Sequence, residues 1–356
     1  MPALFGQTVS RTELFRRVGD LSQVAGIRLM TLQEGFEAGV RIADVRTGSG
    51  LRLQVTLDRG MDISVADFKG VPLSWRSANG DVHPSFYDAR GLGWQRSFPG
   101  GLMTGCGITH LGAPCVDAGE ELGLHGRLSN TPAFNINTSS RWDGDDCTFI
   151  LEGFIHEASP TRVQMMLHRT FRARLGESRV QLRDVVKNET TQSSPLMMLY
   201  HFNPGWPLID GGARLMLNAR ETEPRDPEAR QGIAKAREFT PPVPDFHEQV
   251  FYHDLLSDEE GNAHALVQNE RLGLGFFVSF RKKELPRYIE WKMIGEGLYV
   301  VGMEPSNCRV WGRAKEREAG TLQFLEPGED RTFELEFGVL EGTRQLEQFI
   351  RMNNLT

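Results

Sequence analysis

Four segments of the sequence place ionisable and aromatic side chains beside glycines, each where an apolar stretch begins or ends. The ends of strands are where a rigid scaffold presents functional groups, so these segments are the first places to look for chemistry. Their carboxyl and imidazole groups are the types that serve as general acids and bases. The segments are LDRGMDI with Arg59 and Asp62, the run from Trp94 to Asn130, YHFNPGWP with His201 and Asn203, and IEWKMIGEGLYVVGMEPSNC with Trp291, Lys292 and Glu304.

Glu304 is the sharpest single candidate among these groups. It follows the apolar run LYVVGM and precedes Pro305, which cannot continue a strand ladder. A carboxylate at the end of a buried strand is costly to desolvate unless it is paired or used. Burial would raise its pKa and suit it to act as a general base near neutral pH. The alternative is a structural ion pair with Arg309 or Arg313.

Two histidines stand in comparable positions. His201 follows PLMMLY and precedes Phe202, again at the end of an apolar run. Histidine is the natural side chain for giving and taking a proton near neutral pH, although a histidine in apolar surroundings is often only a hydrogen-bonded core residue. His125 lies in GLHGRLSN, between glycines that let backbone approach a ligand closely. Its alternative is a turn histidine bonded to its own loop.

Several competing chemistries lack their residues. The sequence contains no GxGxxG after a strand and no GxxxxGK[ST], so dinucleotide and P-loop sites have no glycines to use. It contains no HExxH and no GxSxG, so zincin and α/β-hydrolase sites have no anchor. The spacing leaves open a metal site built from His125, His201 and Glu304, since two histidines with one carboxylate bind several metals.

Short runs with period-2 alternation, many of them bounded by Gly, Pro, Asn or Asp, predict a chain made mostly of strands. Helices are expected only at Arg11 to Val18 and Thr343 to Met352, where apolar residues fall on one face. This pattern predicts an all-β fold, a large antiparallel β-sandwich with a few short helices. The predicted strands are Leu51 to Leu57, Thr148 to Phe154, Val163 to Phe171, Val180 to Val186, Arg214 to Ala219, Ala263 to Gln268, Leu274 to Phe280, Tyr299 to Met303 and Thr332 to Val339.

We expect one domain over residues 1–356, with residues 1–50 as lead-in strands and helix. Residues 219–254 are polar and rich in proline, and we interpret them as a long surface excursion. Long loops in compact proteins often shape a binding site, while a flexible linker is the alternative interpretation. Strand texture resumes after residue 254 without a change in composition.

The overall composition narrows the classes of partner. A formal net charge of −7 argues against nucleic acid, and no apolar run approaches the roughly 20 residues that a membrane span needs. The first twenty residues carry charge where a signal peptide would need its apolar core, so we expect a cytoplasmic protein. The four cysteines fit no CxxC spacing and are expected to be reduced, mostly buried thiols: Cys106, Cys115, Cys147 and Cys308.

At the candidate residues the sequence resembles the aldose 1-epimerase (galactose mutarotase-like) superfamily, and most closely a bacterial branch catalogued as a domain of unknown function (DUF4432-like). LHGRLSN resembles the family's first histidine motif, VVKNETTQSSPLMMLYHFNPGWP its second, and YVVGMEPSN its glutamate element. The order His, His, Glu and the wide spacings also match, over most of the chain. One departure is that His201 is followed directly by Phe-Asn, and another is that Pro204-Gly205-Trp206 replaces the family's usual leucine.

The resemblance implies a supersandwich fold and a mutarotase, which interconverts the anomers of a free sugar by opening and reclosing its ring. It implies Glu304 as the catalytic base and His201 as the catalytic acid, with no cofactor and no metal. His125 and Arg96 would hydrogen-bond the sugar and Trp291 would stack on it. Further sugar contacts are expected from Arg59, Asp62, Lys292 and, more loosely, Asp254.

Two other functions stay open at this point. A non-catalytic carbohydrate-binding protein would keep the sandwich and its groove, since fold resemblance alone does not establish function. An epimerase or isomerase of a ketose, a phosphosugar or another modified sugar would need further recognition groups. The joint presence of an acid and a base favours an enzyme. The expected partner is a small-molecule sugar, and a homodimer is left open.

Overall fold

The computed structural model describes residues 1–356 and consists mainly of antiparallel strands. Four short α-helices and six 3-10 turns join them. The helices are α1 Arg11–Phe15, α2 Pro227–Gly232, α3 Arg313–Glu318 and α4 Gly342–Met352, and the 3-10 turns are Leu21–Gln23, Gly35–Glu37, Pro84–Phe86, Gly93–Arg96, Leu128–Asn130 and Ile233–Lys235. The strands are β1 Ala3–Leu4, β2 Gln7–Thr8, β3 Gly26–Thr31, β4 Arg41–Arg46, β5 Leu51–Thr56, β6 Asp62–Phe68, β7 Val71–Pro72, β8 Met103–Cys106, β9 Cys115–Asp117, β10 Glu120–Leu122, β11 Phe134–Asp143, β12 Asp146–Ser159, β13 Val163–Arg174, β14 Arg179–Asn188, β15 Ser194–Leu196, β16 Leu199–Phe202, β17 Arg214–Leu217, β18 Ala219–Pro224, β19 Gln249–Leu255, β20 Asn262–Asn269, β21 Leu274–Arg281, β22 Arg287–Gly295, β23 Leu298–Ser306, β24 Gln323–Leu325 and β25 Asp330–Glu341.

Two large sheets carry the architecture. The larger has eleven strands in the order β18-β19-β22-β23-β16-β8-β6-β5-β4-β3, with β7 paired to β6. The smaller has eight strands in the order β11-β12-β13-β14-β25-β21-β20-β17. Each sheet takes strands from both halves of the chain, so the two are interleaved along the sequence. The expectation of a large antiparallel β-sandwich with few helices is confirmed.

The main core lies between these two sheets. Phe202 of β16 packs against Phe276 and Phe337 of the smaller sheet, with ring centroids 5.9 and 5.3 Å apart. Because successive side chains of a strand point to opposite faces, His201 projects from the other face of the larger sheet. That outer face carries a smaller apolar cluster of its own, which includes Leu199, Tyr252 and Ile289.

One buried polar network joins the two sheets through the core. Arg169 of β13 is fully buried and binds the Asp184 carboxylate through Nε and Nη2, with the shortest distance 2.6 Å. Its Nη1 donates to the carbonyl of Gly60 and lies 3.6 Å from Asp62 Oδ1. The hydroxyl of Tyr200, which precedes His201, donates to Asp184 at 2.8 Å. The network therefore holds β16 of the larger sheet to β13 and β14 of the smaller one.

All nine strands predicted from alternation coincide with observed strands. The predicted closing helix is present as Gly342–Met352, and the N-terminal helix is shorter than expected, ending at Phe15. Residues 1–50 contain the expected helix and four strands, β1 to β4. No helix of the protein has both the length and the apolar character needed to cross a membrane.

The interpretation of residues 219–254 as a surface excursion needs correction at both ends. Residues 219–224 form β18 and residues 249–255 form β19, and the part between them is exposed along most of its length but buries Ala229, Ala236 and Phe239. β18 is an edge strand, paired on one side only, and none of its side chains is buried. An edge strand has no need of the apolar alternation by which the other strands were predicted.

Candidate functional site

His201 and Glu304 face each other across two neighbouring central strands. The ladder between β16 and β23 pairs Leu199 with Ser306 and Phe202 with Met303, which sets His201 opposite Glu304. Side chains directly opposite each other lie on the same face of a sheet, so both project from its outer face. Nε2 of His201 lies 3.2 Å from Oε1 of Glu304, and both residues are at least 95% buried. The structure thus brings the predicted acid and base together.

Aromatic rings surround this pair. The ring of Trp291 lies 5.5 Å from that of His201 and 6.2 Å from that of Trp75, in edge-to-face geometry. Phe98 lies 5.7 Å from His201 and stacks on Trp94 at 4.5 Å. Rings of this kind provide the flat apolar surface against which the C–H face of a pyranose packs.

His125 stands beside His201 on a tightly folded loop. Its ring lies 6.2 Å from that of His201 and 4.7 Å from that of Trp94. Its backbone has a φ of +57° and is held by hydrogen bonds to Gly112 and Gly107. Gly126 follows at a φ of +75°, where a Cβ atom would lie 2.2 Å from the carbonyl of His110. Gly126 is therefore required here, because any side chain would collide with the backbone carbonyl of His110.

Gly302 has no side chain, and the side chains of His201 and Glu304 occupy the space beside it. It lies on β23 directly opposite Trp291. A Cβ atom at this position would come within 2.3 Å of Glu304 Oε1 and 3.0 Å of the His201 ring. The absence of a side chain here allows the carboxyl, the imidazole and the indole to meet on one face of the sheet.

Burial shifts both groups of the pair toward their uncharged forms. Desolvation raises the pKa of Glu304 well above its usual value, and the negative charge of Glu248 raises it further while Arg225 lowers it. Desolvation lowers the pKa of His201 to about 3, and His125 lowers it too. The pKa of His125 is likewise lowered by burial to about 3. Both histidines are therefore uncharged at neutral pH in the free protein.

Four buried polar atoms on this face have no hydrogen-bond partner. They are Oε1 of Glu304, Nδ1 of His201, Nδ1 of His125 and the hydroxyl of Tyr252. The 3.2 Å contact between Glu304 Oε1 and His201 Nε2 does not have the geometry of a hydrogen bond. Tyr252 lies opposite Ile289, and Ile289 lies opposite Glu304, so Tyr252 shares the face of Glu304. Buried polar atoms are nearly always paired in folded proteins, and a group of unpaired ones marks a place where a polar ligand can bind.

Two of the residues expected to bind sugar, Arg59 and Asp62, lie inside the protein and bond to its loops and core. Arg59 is fully buried, and its guanidinium donates to the carbonyls of Val82 and Ser97 and to Asn130. Asp62 is 1% exposed and accepts from the amide of Gly105 at 2.8 Å, and burial raises its pKa to about 7. This placement corrects the expectation for both residues, because their polar groups stabilise loops and the core.

Lys292 is corrected for the same reason. It follows Trp291 in β22 and therefore points to the opposite face of the sheet. Its ammonium group donates to the carbonyls of Lys235, Ala236 and Glu238, at 2.6, 3.2 and 2.6 Å. These three bonds use all the donors that a lysine has. Lys292 holds the segment between β18 and β19 in place.

Arg96 and Asp254 lie at the edges of the site. Arg96 is exposed in the turn Gly93–Arg96, between the two rings Trp94 and Phe98 that line the histidines. Asp254 shares the face of Tyr252 but lies two residues farther along β19, paired with Lys282 at 2.9 Å. The part that either residue takes in sugar binding stays a prediction.

The segment between β18 and β19 contributes two residues that sequence reasoning missed. Glu248 accepts a hydrogen bond from the indole N–H of Trp291 at 3.0 Å. Arg225 donates to the other carboxylate oxygen of Glu248 at 2.8 Å. Tyr252 and Trp75 were also missed. The polar character of residues 219–254 was the only sequence signal for the first two, and it does not say which residues turn inward.

The possibility of a metal site was left open by the sequence. In the structure no three histidine, cysteine, aspartate or glutamate side chains lie close enough together to hold a metal ion.

Comparisons with known proteins identify the family of this chain and its fold. The chain matches the family described as Domain of unknown function (DUF4432) over residues 37–339. No curated protein matches it. Among solved structures it is similar to a proposed aldose 1-epimerase from Klebsiella pneumoniae, with 26% identity, a TM-score of 0.88, and coverage of 92% of this chain and 86% of that one.

Two more distant structures share the fold. A galactose mutarotase-like protein from Clostridium acetobutylicum is 12% identical, with a TM-score of 0.61 and coverage of 90% of this chain and 99% of that one. The galactose 1-epimerase from Lactobacillus acidophilus is 13% identical, with a TM-score of 0.58 and coverage of 89% and 99%. The expected galactose mutarotase-like fold is thereby confirmed.

Proposed function

This chain belongs to the DUF4432 family, whose description assigns no activity, and we propose from its site that it is a sugar mutarotase. It would interconvert the anomers of a free sugar, with Glu304 as base and His201 as acid. The observation that carries this proposal is the buried carboxyl–imidazole pair, 3.2 Å apart, beneath a set of aromatic rings. The name of the Klebsiella structure, a proposed aldose 1-epimerase, points to the same class of reaction.

The reaction balances within the pair. A cyclic hemiacetal opens when a base removes the proton of the anomeric hydroxyl and an acid protonates the ring oxygen, which breaks the C1–O5 bond. Glu304 gains one proton in this step and His201 loses one. After rotation about the C1–C2 bond, the reverse transfers close the ring on the other face of the carbonyl. The pair holds one proton throughout, so no cofactor is needed for this chemistry.

In the free protein the pair's one proton lies on Glu304, and once it has moved to His201 both pKa shifts favour ring opening. A raised pKa makes the Glu304 carboxylate a stronger base, and a lowered pKa makes the His201 imidazolium a stronger acid. The burial that causes both shifts favours the state in which the proton has moved and neither group is charged. That state is the one the pair reaches when the sugar is open.

The surroundings of the pair supply the contacts that a pyranose needs. Trp291 offers a flat face next to His201, and the unpaired atoms of His125 and Tyr252 are placed to bond hydroxyl groups. Arg96 is free to reach in from the exposed turn. These roles in binding are part of the proposal.

The test is saturation-transfer NMR on a panel of free aldoses and ketoses. The wild-type protein is expected to speed exchange between the two anomeric proton signals of at least one sugar. Heat-denatured protein is the control for uncatalysed exchange. Folded protein that leaves every sugar of the panel at its uncatalysed rate would contradict the proposal for free sugars and favour a binding protein.

Replacing His201 by Asn should slow anomer exchange by about 100-fold or more, the usual contribution of a positioned proton donor. Asparagine is polar and of similar size, so the effect reflects the missing proton transfer. Saturation-transfer rates at several sugar concentrations give kcat and KM separately. A change confined to KM would show that His201 binds the sugar and does not transfer a proton.

The rate of exchange should also persist in acid. Below the lowered pKa of His201, about 3, both groups are protonated and no base remains; above the raised pKa of Glu304 no acid remains. The singly protonated, active pair therefore exists between these limits. We expect kcat/KM to stay within about twofold between about pH 6 and about pH 4. A glutamate base with an unshifted pKa of about 4.3 would instead become protonated over this range, and the rate would fall. Loss of activity with a midpoint inside that range, in folded protein, would contradict the shifts.

A further inference from the structure

We propose that Glu248, held by Arg225, is a positioning residue of this site: it fixes the indole of Trp291 over the pair and sets a negative charge beside Glu304. This inference rests on the proposed function and extends it to residues outside the pair. It assigns a role to the surface part of the segment between β18 and β19.

A string of four side chains reaches from this segment to the site. Asp226 is the N-cap of α2, and its carboxylate accepts hydrogen bonds from the amide of Ala229 at 2.9 Å and from Nε of Arg225 at 2.7 Å. Arg225 donates through Nη2 to Glu248, and Glu248 accepts the indole N–H of Trp291. The helix start thus fixes the arginine, the arginine fixes the glutamate, and the glutamate fixes the indole.

The ion pair between Arg225 and Glu248 contributes too little to the free energy of unfolding for stabilisation to be its main role. The side chain of Glu248 is 50% exposed and that of Arg225 is 30% exposed. Ion pairs at this exposure contribute between zero and about 1 kcal/mol to stability. The effect of Glu248 on the orientation of Trp291 is larger. The indole N–H donates to Glu248, and this bond holds the ring 5.5 Å from the ring of His201.

The charge of Glu248 also acts on Glu304. After burial itself, Glu248 is the largest cause that raises the pKa of Glu304, and Arg225 opposes it. The other ionisable groups near Glu304 are His201 from β16, Tyr252 from β19, Cys106 from β8 and Tyr288 from β22, and burial keeps the last three in their neutral forms. Arg309, which follows β23, lies over the Tyr252 ring at 4.7 Å and is neutralised by Glu223 of β18 at 2.7 Å. Glu248 is thus the carboxylate whose charge most strengthens Glu304 as a base, with Arg225 opposing it.

Two substitutions separate the two roles. Glu248→Gln keeps an oxygen that can accept the indole N–H but removes the charge, and Glu248→Ala removes both. In the Gln variant the pKa of Glu304 should fall, because a like charge has gone. The alkaline limb of the pH–rate profile should therefore move to lower pH by roughly half a unit to one unit, with KM close to wild type.

In the Ala variant the indole loses its acceptor. KM should rise about tenfold, the effect of one hydrogen bond to a charged group, and Glu248→Gln should restore most of it. Glu221→Gln, an exposed glutamate on β18, is the matched control and should leave KM and the pH profile unchanged.

A second measurement keeps the test independent of turnover. The carboxyl carbon of Glu304, labelled with ¹³C and assigned through Glu304→Gln, can be titrated by NMR in the free protein. A lower titration midpoint in Glu248→Gln than in wild type supports the proposal, and an unchanged midpoint together with an unchanged KM in Glu248→Ala overturns it. If no sugar is turned over, the proposed function fails, and the titration still decides whether Glu248 acts on Glu304.

Discussion

Replacing Glu304 by Gln should reduce enzyme-dependent anomer exchange at least 100-fold and leave the fold intact. The amide cannot accept the anomeric proton, and positioned general bases contribute about 10²- to 10⁴-fold. The substitution should not destabilise the protein. Because burial raises the pKa of Glu304, folding at neutral pH works against ionisation of this carboxyl, and a neutral amide avoids that cost.

Saturation-transfer NMR measures the effect on the sugar that responds best to wild-type protein. Glu296→Gln is the matched control, since Glu296 lies exposed in the turn of the same β22–β23 hairpin. Its rate should equal that of wild type. A Glu304→Gln protein with the wild-type rate would show that the base is another group. If the variant lost activity and its melting temperature also fell, the loss of activity would be attributed to unfolding.

Replacing Arg169 by Met should lower the free energy of unfolding by about 3–5 kcal/mol, the usual cost of removing one partner of a buried ion pair. Asp184 would then be fully buried with only the Tyr200 hydroxyl as a partner, and the contact to the Gly60 carbonyl would be lost. Domains are stable by only about 5–15 kcal/mol, so a large part of the population would be unfolded at modest denaturant concentrations.

Urea unfolding followed by circular dichroism gives the comparison. The control is Arg183→Met, because Arg183 pairs with Glu334 at 3.5 Å on the surface, with both side chains 48% exposed. That variant should change stability by less than about 1 kcal/mol. Adding Asp184→Asn to Arg169→Met should recover part of the loss by removing the unpaired charge. Equal small effects of the two arginine substitutions would show that the buried network contributes little.

Much of the fold could be predicted because a strand buried on one face alternates apolar and polar residues in its sequence. Predicted strands such as Val163 to Phe171 and Thr332 to Val339 lie inside β13 and β25. The edge strand β18 shows no such alternation, because none of its side chains is buried. The pairing order of the strands was not predicted, since it depends on contacts far apart in sequence.

Glu304 and His201 could be proposed from the sequence because each stands at the end of an apolar run and within a motif that carries the family resemblance. Arg59, Asp62 and Lys292 were assigned to the site for the same reason, but closeness in sequence does not say which face a side chain occupies. Lys292 illustrates the point, since its neighbour Trp291 lies over the pair and the lysine must then point away. Strand parity, applied to the sequence, would have separated these two residues.

The central position of the pair in its sheet has a consequence for how the protein can change. β16 and β23 are bonded to strands on both sides, so the gap between imidazole and carboxyl is the spacing of neighbouring strands, and no loop closure is needed to assemble it. The residues from Arg225 to Glu248 supply neither member of the pair, although backbone hydrogen bonds from Val243 to Ile294 of β22 and from Leu215 of β17 to Arg237 tie them to both sheets. Under the proposed function, substitutions at exposed positions of this segment are expected to change sugar binding while His201 and Glu304 stay in register.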